Sequence, residues 1–143
     1  MVAAAVAGTG NGELCNFRFY VHTPRKWGAG TDGTVTFGAY DKNGAGWTHS
    51  YPGKGKTFDQ GNDVIITVAD KECMDPCRLT LSIDAARTAG SAWYPDKITV
   101  DVSSPGIGEF LGITVVRDYQ YFYVRDWVYD GKPAIERRNG ACA

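Results

Sequence analysis

From residue 15 onward the chain repeats one pattern: a short run with apolar residues at every second position, closed by a cluster of Gly, Asp, Asn, Ser or Pro. Phe17, Phe19 and Val21 share one face of such a run, and Asn16, Arg18, Tyr20 and His22 the other. A period of two sends successive side chains to opposite faces of an extended strand, one face apolar and one polar. Val35, Phe37 and Ala39 repeat it, as do Leu79, Leu81 and Ile83 against Thr80 and Ser82, and Ile98, Val100 and Val102 against Thr99 and Asp101. Residues 113–116, 121–128 and 135–138 are further strands, and 47–51 is a short, weaker one. Val64 to Val68 is a β-branched run, the composition of a strand buried on both faces. The breaks carry turn chemistry, above all Asp41-Lys42-Asn43-Gly44, where Asn-Gly suits a tight hairpin. No longer segment has helical periodicity, so about eight or nine strands without intervening helices predict an all-β sandwich or barrel.

Composition agrees. Eighteen glycines and fourteen Tyr plus Phe favour strands and turns. A length of 143 residues fits one domain, expected over 13–143 behind a disordered tail over 1–12. The apolar start, Val2 to Ala7, is too short to span a bilayer and lacks the basic region of a full signal peptide. Fifteen basic against sixteen acidic residues exclude broad attraction to nucleic acid or a purely polybasic membrane contact.

Four cysteines allow three pairings. Cys73 and Cys77 lack zinc-ribbon spacing. Cys15 opens the first strand and Cys142 lies one residue from the end, so the favoured bridges are Cys15–Cys142 and Cys73–Cys77, which imply an oxidising compartment. The opposing reading is four reduced, buried thiols in a cytosolic protein.

Four phrases occur in order along the chain: Gly30-Thr31-Asp32-Gly33, Phe58-Asp59-Gln60-Gly61-Asn62-Asp63, Leu79-x-Leu81-x-x-Asp84, and Trp93-Tyr94-x-Asp96-Lys97-Ile98-x-Val100. In wording and order the chain resembles the PLAT (lipoxygenase-homology, LH2) domain from about Cys15 to Cys142, and most of all the small stand-alone plant PLAT proteins of stress responses. The resemblance implies an eight-stranded antiparallel β-sandwich and a lipid- or protein-binding role. It also implies a Ca²⁺ site from Asp32, Asn62, Asp63 and Asp84, with Gly30 as a carbonyl donor. Carboxylate, amide and backbone oxygens are what Ca²⁺ coordinates, whereas Asp and Asn beside Gly equally brace turns without a metal. Arg87, close after Asp84, carries a charge that would replace a cation's.

Aromatic residues carry the second expectation. Trp27 beside Lys26 in a Gly-rich loop suits a membrane interface, where an indole is half apolar and half hydrogen-bonding. Trp47, His49 and Tyr51 form another candidate lipid or partner contact, while Trp93 and Trp127 are expected in the core. The expected function is a non-catalytic, secreted or secretory-pathway module recognising membrane lipid, a small apolar ligand or a protein through one loop-rich end. Two alternatives stand: an interaction module without lipid binding, docking through an outward face bearing Tyr20, Tyr121 and Tyr123, and a small enzyme using Asp32 or Asp84 with a histidine. No G-x-S-x-G, H-E-x-x-H or P-loop motif supports the enzyme.

Overall fold

The computed structural model describes residues 13–84, 92–104 and 115–142. The expected tail over 1–12, Arg87 and residues 113 and 114 lie outside the described residues. Among the described residues ten strands follow one another: β1 (Leu14–His22), β2 (Thr34–Tyr40), β3 (Gly46–Pro52), β4 (Asp63–Glu72), β5 (Arg78–Asp84), β6 (Ala92–Trp93), β7 (Lys97–Ser104), β8 (Val115–Tyr123), β9 (Val128–Tyr129) and β10 (Ile135–Arg138). Eight of them make two four-stranded antiparallel sheets, ordered β4-β1-β7-β8 and β10-β5-β2-β3, while β6 and β9 pair separately. This is the eight-stranded antiparallel sandwich. No helix among the described residues is long and apolar enough to cross a membrane.

The period-two pattern explains the packing. Phe17, Phe19 and Val21 of β1 meet Val35, Phe37 and Ala39 of β2 in one buried cluster, joined by Leu79, Leu81 and Ile83 and by Ile98, Val100 and Val102. Phe19 and Phe37 span the two sheets with ring centroids 5.2 Å apart. Each such side chain contributes about 1.5–3 kcal/mol when fully buried, so this cluster holds the sheets together. Trp93 and Phe58, both at 0% exposure, plug one end of the core with rings 5.3 Å apart. The Trp93 indole donates to Thr23 Oγ1 at 3.0 Å, which satisfies its one buried donor.

Four expectations need correction. β4 is an edge strand with one face in solvent: Ile66 and Val68 are buried, but Ile65 is 58% exposed. The apolar run there reflects β propensity rather than burial on both faces. Trp47–Tyr51, read as short and weak, belongs to a full seven-residue strand paired with β2. The run 121–128 is broken, because β8 ends at Tyr123 and Arg125 adopts φ 48° before β9 begins. Trp127 consequently leaves the core and is only half-buried, packing on Tyr94 with centroids 5.1 Å apart.

The disulfides are Cys15–Cys73 and Cys77–Cys142, not Cys15–Cys142 and Cys73–Cys77. Antiparallel register dictates this. Cys15 lies opposite Lys71, so Cys73 emerges beside it, and the Cys73 amide donates to Glu13 O at 3.1 Å. Arg138 lies opposite Arg78, which brings Cys142 to Cys77 through an Asn139 N to Cys77 O bond of 3.0 Å. Residues 73–77 cross from one sheet to the other, so the two cysteines diverge and each bridge fastens a different sheet. Disulfides of this kind form and persist under oxidising conditions.

Candidate functional site: the loop-rich pole

β1, β3, β5 and β8 end, and β2, β4 and β7 begin, at the same pole of the sandwich. The loops over 23–33, 53–62 and 94–96 are stitched together there. Thr31 N donates to Phe58 O at 3.1 Å, Gly53 N to Gly33 O at 3.0 Å, Thr23 N to Asn62 O at 3.1 Å and Tyr94 N to Ala29 O at 2.9 Å. Gly30 is required by this stitching, because a Cβ on it would lie 2.9 Å from Gln60 N and 3.0 Å from Asp59 Cα.

Asp32, Asn62, Asp63 and Asp84 all stand at this pole, the three aspartates exposed. Asn62 and Asp63 have local roles. Asn62 Nδ2 donates to Lys56 O at 2.7 Å and Thr57 O at 2.9 Å, bracing the 53–62 loop. Asp63 Oδ1 bonds His22 Nδ1, its register partner on β1. Asp84 ends β5 opposite Thr34, just after Asp32. No group of three or more His, Cys, Asp or Glu side chains converges on a metal position among the described residues. The pole therefore offers hard oxygen donors of the kind Ca²⁺ takes, spread over three loops rather than gathered in one cage.

Trp27 is 92% exposed. It sits at the tip of a turn closed by Ala29 N to Lys26 O at 2.9 Å, with Gly28 at φ 76° in the position that only a left-handed residue fills. Lys26 Nζ lies 5.0 Å above the Tyr94 ring, and Trp127 packs edge-on against the same tyrosine. An exposed indole thus projects from a base of Lys26, Tyr94 and Trp127. Trp47, His49 and Tyr51 do not join it. They alternate on the inward side of β3, where Trp47 packs edge-on against Phe17 and Phe19 at 4.9 and 5.8 Å, and Tyr51 against Phe58 at 6.2 Å. Trp47 lies instead by a cleft of about 970 Å³ at the opposite pole, with Asp41, Glu72 and Arg117. The Asp41 loop is a hairpin turn, its carboxylate accepting from Asn43 N and Ala45 N at 2.9 and 3.0 Å.

Tyr121 and Tyr123 are outward as expected, but their cation partners, Lys97 and Arg125, escaped the sequence reading. On the outer face of the first sheet, Tyr119, Tyr121 and Tyr123 stand on alternate positions of β8, with Lys97 Nζ 4.9 and 5.8 Å from the latter two rings. Arg125 then lies 4.3 Å over Tyr123 and bonds Asp96 at 2.9 Å. Alternation marks such residues as outward, but their cation partners come from another strand and a loop. Neither the cleft by Trp47 nor a second one, which the His22–Asp63 pair lines, contains Asp32 or Asp84.

The PLAT/LH2 domain family matches residues 17–137. No curated protein matches the chain. Among solved structures, a LOX deletion variant in complex with arachidonate superposes with TM-score 0.68 at 19% identity, over 88% of this chain and 16% of that one. A calcium-dependent 11R-lipoxygenase gives 0.66 at 18%, over 88% and 17%. A coral 8R-lipoxygenase, described as calcium-activated through a C2-like domain, gives 0.62 at 17%, over 86% and 16%. The chain thus spans about a sixth of each of those proteins. At such identity the likeness is one of fold, and the match over 17–137 makes this chain a member of the PLAT/LH2 domain family.

Proposed function

We propose that the protein is a non-catalytic binding module of the secretory pathway or extracellular space that seats its loop-rich pole on membrane lipid, with Ca²⁺ ordering the loops. The observation that carries this reading is Trp27, held 92% exposed at a turn tip beside Lys26. Indole and ammonium together match the water–lipid boundary, the ring entering the headgroup region while the cation stays hydrated. Calcium has its candidate donors in Asp32, Asn62, Asp63 and Asp84 and in the Gly30 carbonyl, on the loops that flank Trp27. The calcium-dependent lipoxygenases of the same fold support that part. Two disulfides support the compartment.

Liposome sedimentation with calcium and with chelator tests the reading. The expected result is association in calcium, reduced by chelator and lowered at least tenfold by Trp27→Ala, for an exposed side chain whose loss leaves the fold intact. No association under either condition removes the membrane role. Association indifferent to chelator removes calcium alone.

A further inference from the structure

We propose that the outer face of the first sheet binds an acidic polysaccharide, a chain of uronate sugars, with Lys97 receiving a sugar carboxylate and tyrosine rings stacking on the pyranoses. This face is distinct from the Trp27 turn, and its cleft shares only Asp63 with the candidate calcium donors.

Register lays the face out in rows. Tyr123 stands opposite Lys97, and Tyr121 opposite Thr99, while Thr99 also faces Tyr20 and Tyr20 faces Ile65. Tyr121 and Tyr123 are 49% and 48% exposed. A cleft of about 480 Å³ runs beside them, lined by Tyr20, His22, Asp63, Ile65, Lys97 and Thr99 among others. Its size falls within the roughly 300–1,000 Å³ of small-ligand sites, and it joins apolar walls to a few polar groups. The rings are oriented in advance. Tyr20 is fixed by its hydroxyl bond to Asp101 at 2.8 Å, and Tyr121 and Tyr123 pack at 5.5 Å with Lys97 over both. Ordering that precedes binding lowers its entropic cost. A pyranose presents an apolar CH face for such rings and hydroxyls at its rim for the polar groups.

Charge decides which sugar. Of the two carboxylates that line the cleft, Asp96 forms an ion pair with Arg125 and Asp63 is hydrogen-bonded to His22. Lys97 makes no ion pair among the described residues, although it is half-buried between two tyrosines. An ammonium so placed is complemented by an anion from the ligand. The chain's net charge of −1 gives no general attraction for polyanions, so the anion must be recognised at this point.

The experiment is calorimetric titration of the full chain, in chelator, with oligogalacturonate and with a neutral cello-oligosaccharide of equal length. The acidic oligomer is expected to bind and the neutral one to bind at least tenfold more weakly. Lys97→Gln and Tyr121→Ala should each lower affinity roughly tenfold or more. Lys42→Gln, which removes equal charge at the opposite pole, should leave it unchanged. Thermal melts confirm that the variants fold, and Tyr121→Phe, keeping the ring, should retain binding. Failure of the acidic oligomer to bind, equal binding by the neutral one, or full affinity in Lys97→Gln overturns the proposal. So does capture by anionic vesicles that Lys97→Gln abolishes in the absence of oligogalacturonate binding, which assigns the face to phospholipid, or binding of a proline-rich peptide alone. Because chelator is present throughout, these outcomes are separable from failure of the calcium-assisted lipid reading.

Discussion

Arg18 and Asp101 face each other in register across β1 and β7 and close a two-bond fork, Nε to Oδ1 at 3.0 Å and Nη2 to Oδ2 at 2.8 Å. Asp101 is 4% exposed although it lies on the outer face of its sheet, because Arg18 and Tyr20 cover it and the Tyr20 hydroxyl adds a bond at 2.8 Å. The bonds to Asp101 raise both the Arg18 guanidinium and the Tyr20 phenol above their ordinary values. Removing one partner of such a pair strands the other charge. Arg18→Met should therefore destabilise the fold by about 2 kcal/mol, the scale of a hydrogen bond to a charged group. Arg18→Met combined with Asp101→Leu should recover most of that loss. Urea denaturation of the two variants beside the unsubstituted protein checks this, and equal loss in the single and double variants would count against it.

The disulfide pairing is directly measurable. Non-reducing peptide mapping should yield cross-linked fragments 15–73 and 77–142. Each bridge closes a loop of about sixty residues, worth about 4 kcal/mol in the chain-entropy account. Cys73→Ala and Cys142→Ala, each with its partner also replaced, should lower stability by up to that amount, and the two losses should add because the bridges fasten different sheets. A 15–142 fragment would show that the register described for β1 and β4 is wrong.

Much of the fold is legible in the residues because burial and strand period coincide. Phe17, Phe19 and Val21 point inward because one face of β1 is covered and the other is not. Legibility fails where position in the sheet matters more than composition. Nothing in Val64 to Val68 says that β4 is an edge strand, and nothing in Cys73-Met74-Asp75-Pro76-Cys77 says that the chain there crosses between sheets. Trp47 and Trp27 look alike in sequence, each set among Gly and polar neighbours. Pairing of Ala39 with Trp47 turns one indole onto Phe17, whereas the Gly28 turn leaves the other in solvent. The aspartates at the pole are readable as strand-end residues, but their partners, such as His22 for Asp63, follow from register. The Lys97–Tyr121–Tyr123 cluster joins neighbouring strands and is invisible to spacing along one of them.

Acid should loosen the cysteine end of the sandwich. Glu13 accepts from Ser104 at 2.7 Å and from Arg117 at 2.8 Å, and these bonds hold its carboxyl below the ordinary value of 4.5. Glu136 is lowered likewise, chiefly by Arg138 and then Arg78. A carboxyl depressed in the folded state contributes stability that is present above its unfolded value and lost as pH falls through the folded one. The melting temperature should therefore decline below about pH 4.5. Glu13→Gln and Glu136→Gln together should flatten that decline while changing the neutral-pH value little, since exposed pairs contribute little. An acid limb unchanged in the double variant would place the responsible carboxylates elsewhere.

Two glycines at the loop-rich pole and one at the cysteine end separate backbone strain from steric contact. At Gly30 a Cβ meets only backbone, Gln60 N at 2.9 Å and both Asp59 Cα and Phe58 O at 3.0 Å, and no side chain can swing aside to admit it. Gly30→Ala should cost roughly 1–3 kcal/mol, the scale of overpacking, and should push the 23–33 loop off the 53–62 loop. At Gly28 nothing lies within 4 Å, but φ is 76°, so Gly28→Ala should cost only about 1–2 kcal/mol of left-handed backbone strain. Gly140 has open space and no left-handed φ, so Gly140→Ala should be near neutral. Chemical denaturation gives the three values, and calcium-dependent liposome sedimentation adds the functional readout. Gly30→Ala should weaken association as well as stability, because the loop it displaces carries Trp27 and Asp32. Wild-type stability in Gly30→Ala would mean that the 23–33 and 53–62 loops do not approach each other as closely as the Thr31–Phe58 bond requires.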